Sequence, residues 1–434
     1  MVISEGRRRR RRWPFVLAGL LVVLAGGALA VYLTMGQTPG DVSNPDAEFT
    51  DTEPTPPKPK RRDFRWPFYG YTPQRTRYIE ADIRPPLRPR WKWGRGQLIE
   101  FQPVLAKNTL FLIRNGGEVV ALNARNGRVR WRRDSGAKAA SSPAWWKDRI
   151  FVTMLEPGRI IALRARNGKR VWRKSLPSRT ESSPLVRRGR VYFGSEDGTV
   201  YCLRARDGKE IWTYHAEGAV KAGLAFSKGL LFFGDYGGEV TALRARNGSV
   251  VWNRDSEGRS FGRSGNFYST PAVAFGRVYL GNTDGFVYSY VARSGRLAWR
   301  TSTGAFVYAA PAVGRVPGFK PAVYIGSYDG NFYALDARSG NKLWTHDAGG
   351  KISGAATVVG DVVYYANLGK ENTAALNART GNKVWEFHAG AFNPVISDGR
   401  RIYLTGYSSE YAFEPLEPKP SGRRKRSRRR GGSR

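Results

Sequence analysis

The chain of 434 residues has little cysteine, little histidine and few acidic residues. Its single cysteine, Cys202, excludes an internal disulfide, a CxxC metal site and a CxxCH haem attachment. Lysine and arginine number 72 against 35 aspartate and glutamate residues, so the formal net charge is +37, which indicates anionic partners. Hydrophobic residues nevertheless make up 41% of the chain, enough to build a folded core.

One apolar run is long enough to cross a bilayer. Residues 13–35 carry no charge and follow six consecutive arginines at 7–12. About 20 apolar residues span a membrane, and flanking arginines stay in the cytoplasm. We therefore predict a basic cytoplasmic N-terminus over 1–12 and a single-pass signal-anchor helix over 13–35, with everything after it outside the cytoplasmic membrane. Cleavage after Ala30, in the small-x-small sequence at 28–30, is the alternative.

Two polar segments flank the remaining sequence. Residues 36–63 are rich in proline, threonine and acidic residues, a composition typical of a disordered linker. Residues 421–434 carry eight basic residues and no acid, so we predict a disordered basic tail over 415–434. A folded domain is predicted between them, over residues 64–414.

A unit with two apolar strands, the sequence A-R-x-G and a tryptophan repeats through this domain. Successive repeat tryptophans are 40 to 47 residues apart, a spacing typical of four-stranded propeller blades. They are Trp91, Trp131, Trp172, Trp212, Trp252, Trp299, Trp344 and Trp385. Each unit is therefore predicted to form one blade.

Two incomplete units lie at the ends of the array. Trp91 has no apolar hairpin before it, and the hairpin at 402–413 has no tryptophan strand after it. If they form one blade together, the ring closes without exposed strand edges. We therefore predict an all-β fold: an eight-bladed β-propeller of four-stranded blades with N/C-terminal strand closure, preceded by one transmembrane helix and a disordered linker. Insertions around 258–266 and 314–321 are expected in surface loops.

The repeats resemble those of the pyrroloquinoline-quinone-like, or quinoprotein-type, propeller family. The sequence VYIGSYDGNFYALDARSGNKLW at 323–344 is close to the family pattern VYxGSxDGxxYALDAxTGxxxW, and WPFYGY at 66–71 is similar to the opening of such domains. The resemblance covers about residues 66–413. It implies one of two classes: dehydrogenases, which bind the quinone and Ca²⁺ on the propeller axis, or non-catalytic scaffolds such as the propeller lipoprotein of the outer-membrane assembly machinery.

Several features favour the scaffold class. The pair of adjacent cysteines that clamps the quinone in many alcohol dehydrogenases of the family cannot form here, and we expect Cys202 to pack as a small apolar residue. The connections between strands are short. The three histidines, His215, His346 and His388, belong to different blades, so we expect no metal site and no bound cofactor. Pyrroloquinoline quinone with calcium belongs only to the dehydrogenase alternative.

Two sets of residues are candidates for binding rather than catalysis. Residues just before the proline of each repeat, where the innermost strand is expected to begin, are predicted to surround the channel mouth and to contact a ligand: Glu100, Glu181, Lys221, Tyr268, Tyr308, Lys351 and Asn393. The arginines of A-R-x-G are predicted to form a ring on one face that meets an anionic partner: Arg125, Arg166, Arg206, Arg246, Arg293, Arg338 and Arg379. Ordinary loop composition is the alternative explanation for the first set, and solvated turn positions are the alternative for the second.

The sequence thus indicates a non-enzymatic, extracytoplasmic binding scaffold of the bacterial cell envelope. Its expected partners are the membrane, through the anchor, and an envelope protein or anionic polymer; nucleic acid is not expected outside the cytoplasm. A small quinone-dependent oxidoreductase of the alcohol or sugar dehydrogenase type is one alternative. A cell-wall glycan-binding module is another, and it would depend on the aromatic residues Trp145, Trp146, Tyr268 and Tyr308.

Overall fold

The computed structural model describes residues 40–51, 65–256, 265–393 and 395–416. Within these ranges all the regular secondary structure is β-strand. The predicted cytoplasmic N-terminus (1–12) and signal-anchor helix (13–35) lie outside these residues. So do 36–39 and 52–63 of the predicted linker and 417–434 of the predicted tail. In the described ranges, no helix is long and apolar enough to span a bilayer.

Three short strands precede the first complete blade: β1 Val42–Ser43, β2 Tyr78–Ile79 and β3 Leu87–Trp93. Blade 1 contains β4 Val104–Ala106, β5 Thr109–Ile113, β6 Glu118–Asn123 and β7 Val129–Asp134. Blade 2 contains β8 Ala144–Trp146, β9 Arg149–Met154, β10 Arg159–Arg164 and β11 Arg170–Ser175. Blade 3 contains β12 Leu185–Arg187, β13 Arg190–Gly194, β14 Thr199–Arg204 and β15 Glu210–His215. Blade 4 contains β16 Ala225–Ser227, β17 Leu230–Gly234, β18 Glu239–Arg244 and β19 Val250–Asp255.

The second half of the ring follows the same plan. Blade 5 contains β20 Ala272–Ala274, β21 Arg277–Gly281, β22 Phe286–Val291 and β23 Leu297–Ser302. Blade 6 contains β24 Ala312–Arg315, β25 Pro321–Gly326, β26 Asn331–Asp336 and β27 Lys342–Asp347. Blade 7 contains β28 Thr357–Val359, β29 Val362–Asn367, β30 Asn372–Asn377 and β31 Lys383–Phe387. Blade 8 begins with β32 Ile396–Ser397, β33 Ile402–Thr405 and β34 Glu410–Pro415.

Blade 8 is completed by the N-terminal strand β3, as predicted. The sheet order is β3-β34-β33-β32, and Trp91 lies opposite Ala412 in an antiparallel pair. All eight sheets are antiparallel within the blade. Strand β34 extends to Pro415, one residue beyond the predicted end of the folded domain. The eight-bladed ring and its closure are therefore confirmed.

The A-R-x-G sequence recurs because it joins neighbouring blades. In seven blades the indole nitrogen of the repeat tryptophan donates to the alanine carbonyl of the next A-R-x-G, for example Trp131 to Ala165 at 2.9 Å. The glycine lets the ring approach: Gly168 has φ +68°, and a Cβ there would lie 2.7 Å from the Trp131 ring. The position requires both a positive φ and the absence of a Cβ atom beside the ring, and only glycine provides both at low cost.

The predicted disordered linker is wrong for residues 40–51. Val42 and Ser43 form β1, which pairs with the outer strand β23 opposite Arg300 and Trp299, and Ala47 is buried. The polar, acidic composition suggested a solvated chain. However, the guanidinium of Arg277 donates to the carbonyl oxygens of Ala47 and Glu48, which holds the segment on the propeller.

Candidate binding site

The two faces of the disc are defined by the strand connections. In an up-and-down blade, the loop before the innermost strand and the hairpin between the second and third strands share one face, here called the mouth face. The hairpin between the first and second strands and the A-R-x-G turn lie on the other, here called the arginine face. The position four residues before each innermost strand holds Glu100, Ala140, Glu181, Lys221, Tyr268, Tyr308, Ser353 and Phe392.

A cavity of about 250 Å³ lies on the mouth face where these loops converge. Its lining includes Tyr69, Glu100, Phe101, Glu181, Ser183, Lys221, Tyr268, Thr270, Tyr308, Tyr328, Ser353, Phe392 and Asn393. Six of the seven residues predicted at the channel mouth are therefore brought together, although their role in ligand binding stays a prediction.

Lys351 is the exception. It lies two residues before the repeat-equivalent Ser353 and does not line the cavity, although its ammonium is 5.7 Å from the ring centroid of Tyr328. Asn393 lines the cavity but also joins two loops, because its side-chain oxygen accepts a hydrogen bond from the backbone N–H of Gln102 at 3.1 Å. Counting back from each innermost strand, rather than from a proline, would have identified Ser353 and Phe392.

Charged groups at the mouth form a compact network. The Lys221 ammonium lies 3.0 Å from Glu181 and 3.1 Å from Glu196. Burial acts to raise the pKa of Glu196, but hydrogen bonding and charge from Lys221 hold that pKa below its ordinary value. Burial, together with the charge of Glu181, raises the pKa of Glu100. The mouth thus combines a paired cation with a carboxyl group that is easier to protonate than usual.

Aromatic rings form the other wall of the cavity. Tyr268 and Tyr308 meet edge to face at 5.9 Å, and Tyr308 lies 4.8 Å from Tyr328, both between ring centroids. The Tyr268 hydroxyl donates to Glu181 at 3.2 Å. Burial and the nearby carboxylate raise the pKa of Tyr268, so it stays a neutral donor.

Residues 66–79 close the axis below this cavity, which the sequence did not reveal. This segment makes backbone hydrogen bonds to the innermost strands of six blades. The bonded pairs are Trp66–Leu105, Pro67–Trp145, Pro73–Phe226, Gln74–Val273, Thr76–Val313 and Arg77–Val358. Arg75 is fully buried and donates to the carbonyls of Tyr69, Ser183 and Leu224. The Arg77 guanidinium packs over the Tyr69 ring at 4.6 Å.

A quinone with calcium does not fit the residues at the mouth. Glu181 and Glu196 are engaged by Lys221, and within the described part of the chain no group of three histidine, cysteine or acidic side chains could hold a metal. Ligand pockets usually measure about 300–1,000 Å³. The cavity, at about 250 Å³, is smaller than that range.

The A-R-x-G arginines lie on the arginine face as a ring, and all seven side chains are exposed: Arg125, Arg166, Arg206, Arg246, Arg293, Arg338 and Arg379. Two of them contact the chain's own acidic segment. Arg293 donates to Glu48 at 2.8 Å, and Arg338 lies over the Phe49 ring at 5.8 Å.

The four aromatic residues considered for glycan binding do not form one site. Tyr268 and Tyr308 line the mouth cavity, whereas Trp145 and Trp146 end an innermost strand on the arginine face. Cys202 is fully buried in blade 3, as expected, and burial raises the pKa of its thiol to about 12. It therefore acts as a packing residue.

The closed ring, the tryptophan contacts and the axial cavity define an eight-bladed propeller of the quinoprotein type. A family model described as outer membrane protein assembly factor BamB matches residues 86–215, 115–307 and 283–407. Because these matches cover more than half of the chain, it belongs to that family, which confirms the resemblance to propellers of the pyrroloquinoline-quinone type. No curated protein matches the chain significantly.

Solved structures from both functional classes have the same fold. BamB from Moraxella catarrhalis is 18% identical, with a TM-score of 0.63 over 77% of this chain and 99% of that one. A quinohemoprotein alcohol dehydrogenase from Pseudomonas putida HK5 is 15% identical, with a TM-score of 0.69 over 84% and 82%. The one from Comamonas testosteroni is 14% identical, with a TM-score of 0.65 over 84% and 82%. The fold alone therefore does not decide between the two classes.

Proposed function

We propose that the protein is a non-enzymatic binding scaffold of the bacterial cell envelope. The observation that carries this proposal is the closure of the propeller axis by residues 66–79, which leaves a cavity of only about 250 Å³ at the mouth. On the arginine face, seven exposed arginines, one in each of seven repeats, form a ring. A multivalent cationic surface suits an envelope protein or an anionic polymer better than a small substrate.

The placement of the scaffold is part of the proposal. Residues 13–35 would anchor it in the cytoplasmic membrane as a single-pass protein, with the N-terminus inside and the propeller outside. Membership of the BamB family supports an envelope role, since the family is described as an outer membrane assembly factor.

A titration tests this proposal against the dehydrogenase alternative. The full-length chain in detergent is titrated with pyrroloquinoline quinone plus Ca²⁺ while tryptophan fluorescence is followed, and dye reduction is measured with alcohols and sugars. We expect neither saturable quenching nor turnover. Saturable binding with turnover would overturn the scaffold proposal and make the mouth cavity an active site.

Crosslinking tests whether the arginine face contacts an envelope component. A photo-reactive amino acid is placed at Arg125 or Arg166 on the arginine face, and at the exposed Lys138 on the mouth face as a control. In cells that make the protein, the first two positions should give a discrete adduct with an envelope component and the third should not. Adducts of equal yield from all three positions would contradict a role for the arginine face.

A glycan-binding module remains the second candidate, and one observation favours it. Tyr268, Tyr308 and Tyr328 form an aromatic wall beside Glu100 and Glu181, an arrangement in which apolar faces and few polar groups orient a ligand. Titration with soluble wall glycan fragments would support it if Tyr308→Ala abolished saturable binding.

A further inference from the structure

The chain's own acidic segment shows how the arginine face holds a peptide. Residues Pro45 to Asp51 lie between blades 5 and 6, where the Arg277 guanidinium donates to the carbonyl of Ala47 at 2.6 Å and that of Glu48 at 2.8 Å. The Glu48 carboxylate accepts from Arg293 at 2.8 Å. The arginine side chains therefore bind both the backbone carbonyl groups and the carboxylate group of an extended segment.

The same groove holds an aromatic side chain. The Phe49 ring stacks on Phe275 at 5.4 Å between centroids and lies under two guanidinium groups, Arg277 at 5.4 Å and Arg338 at 5.8 Å. Arginine over an aromatic face is a favourable contact that adds to the hydrogen bonds. The bound sequence is thus an acidic peptide with one aromatic residue.

The groove between blades 3 and 4 repeats the key parts of this arrangement. Arg190 and Arg277 are each the first residue of their blade's second strand. Each donates from Nη1 to the A-R-x-G arginine carbonyl of the next blade: Arg190 to Arg246 at 2.7 Å, and Arg277 to Arg338 at 3.0 Å. Arg277 is fully buried under the segment, whereas Arg190 is only half-buried.

The blade 3–4 groove has a volume of about 520 Å³ and is strongly basic. Its cationic lining residues are Arg187, Arg188, Arg190, Lys228, Arg244 and Arg246, with Tyr192, Phe226 and Leu230 as its apolar part. None of these lining residues is acidic. The next groove, between blades 4 and 5, is already bordered by Glu48 and Thr50 of the bound segment.

We propose that the blade 3–4 groove binds an acidic, extended peptide with one aromatic residue, supplied by a partner protein. This deepens the scaffold function proposed above, on which it rests. The peptide's backbone carbonyls accept from Arg190, and its aromatic ring packs between Arg190 and Arg246. Arg188 occupies the position that Phe275 holds in blade 5, so this groove favours negative charge more strongly than the filled one.

The probe is a fluorescein-labelled peptide with the sequence SNPDAEFTDT, that of residues 43–52, and fluorescence anisotropy measures its binding to the full-length chain at low salt. The tethered copy keeps its own groove occupied because its effective concentration is high. We expect saturable binding that weakens at least tenfold for the amide peptide SNPNAQFTNT. Replacing phenylalanine with alanine in the peptide should weaken binding several-fold.

Variants locate the site. Arg190→Ala should weaken binding at least tenfold, and Arg246→Glu should do the same while keeping the backbone carbonyl that blade 3 uses, in case the first variant folds poorly. Lys138→Glu, which reverses an exposed charge on the opposite mouth face, should change affinity less than twofold. Equal binding by Arg246→Glu and the wild type, or by the amide and acidic peptides, would overturn the proposal.

Two further outcomes are also decisive. If Arg277→Ala alone abolishes binding, the peptide exchanges with the tethered segment and the proposed groove is wrong. If Arg246→Glu weakens binding to anionic lipid vesicles but not to the peptide, the groove recognises phosphate headgroups and the peptide proposal is wrong. Neither result touches the scaffold function, which the quinone titration and the crosslinking decide separately.

Discussion

The mouth face buries several of its carboxyl groups, whereas the arginine face exposes its ring of A-R-x-G arginines. Burial raises the pKa of Asp235 to about 6 and that of Glu410 to about 8, and both residues lie at hairpins of the mouth face. The seven A-R-x-G arginines are all exposed on the opposite face. The formal charge of the sequence therefore understates the positive charge near neutral pH, because burial keeps the Glu410 carboxyl group largely protonated there.

One repeat produces both environments. In blades 4, 5 and 8 the hairpin after the second strand turns inside the packed rim of the mouth, so the carboxyl groups of Asp235, Asp284 and Glu410 are desolvated. The A-R-x-G turn needs only its alanine carbonyl and glycine for the contact with tryptophan, so the arginine side chain is left to solvent. A repeat protein can thus give its two faces different chemistry without changing the fold.

The largest expected loss of stability concerns residues 66–79, which close the propeller axis between the two faces. Arg75→Ala removes three hydrogen bonds to buried carbonyls, of Tyr69, Ser183 and Leu224, and should lower the free energy of unfolding by about 3 kcal/mol. Urea unfolding of the full-length chain in detergent, followed by tryptophan fluorescence, measures this. Arg125→Ala is the exposed control and should change it by less than about 0.5 kcal/mol. If the two variants have equal stability, Arg75 does not hold the axis closed.

The sequence predicts the ring well because its signals are local and repeated. The tryptophan and the A-R-x-G glycine are needed in each blade contact, so their spacing gives the number of blades. Even the closure between Trp91 and Ala412 follows from the two incomplete units. Blades 4 and 7 both have no proline before the innermost strand; without that landmark the position was found in blade 4, at Lys221, but was placed two residues early in blade 7, at Lys351.

Two segments outside the repeats were missed for a different reason. Residues 40–51 have the composition of a linker, and only the three-dimensional position of Arg277 makes them a ligand of the propeller. Arg75 and Arg77 would ordinarily be placed on the surface, yet both are fully buried in residues 66–79. The contacts of Arg75 with Ser183 and Leu224, and those of Arg277 with Ala47 and Glu48, join residues far apart in sequence, and no local pattern predicts them.

A second prediction concerns Glu410 on the mouth face. Its pKa of about 8 in the folded state exceeds the ordinary 4.5 of glutamate, so the contribution of Glu410 to stability is fully present below about pH 4.5 and is lost as the pH rises towards 8. Glu410→Gln cannot ionise. The free energy of unfolding of the variant relative to the wild type should therefore increase by about 4 kcal/mol between pH 4 and pH 8.

Urea unfolding at the two pH values provides the measurement. Glu217→Gln, an exposed carboxyl group on the mouth face, is the control and should show no such change. A pH-independent difference between Glu410→Gln and the wild type would mean that Glu410 is solvated.

A smaller effect is expected from the ion-pair network at the mouth. Lys221→Met keeps the side-chain stem but removes the cation that pairs with Glu181 and Glu196, and should cost about 1 kcal/mol at pH 7. Because the pKa of Glu196 is held below its ordinary value, this stabilisation is present above the ordinary pKa and disappears as the pH falls through the lowered one.

The same unfolding measurement at pH 7 and pH 3 checks this expectation. Lys138→Met is the control, because its ion pair with Glu156 is largely exposed, and it should change stability by less than about 0.5 kcal/mol. A loss for Lys221→Met that is the same at both pH values would reflect packing rather than charge.

The smallest effect on stability, and the most direct test of the two faces, comes from reversing one exposed charge on each. Arg125→Glu lies on the arginine face and Lys138→Glu on the mouth face, and both lower the net charge by two. Each should alter the free energy of unfolding by less than about 0.5 kcal/mol. On a sulfonate cation exchanger, however, a protein adsorbs through its most positive surface, so the arginine-face variant should elute at clearly lower salt. Equal elution of the two variants would show that net charge alone governs adsorption and that the arginine ring is no distinct binding surface.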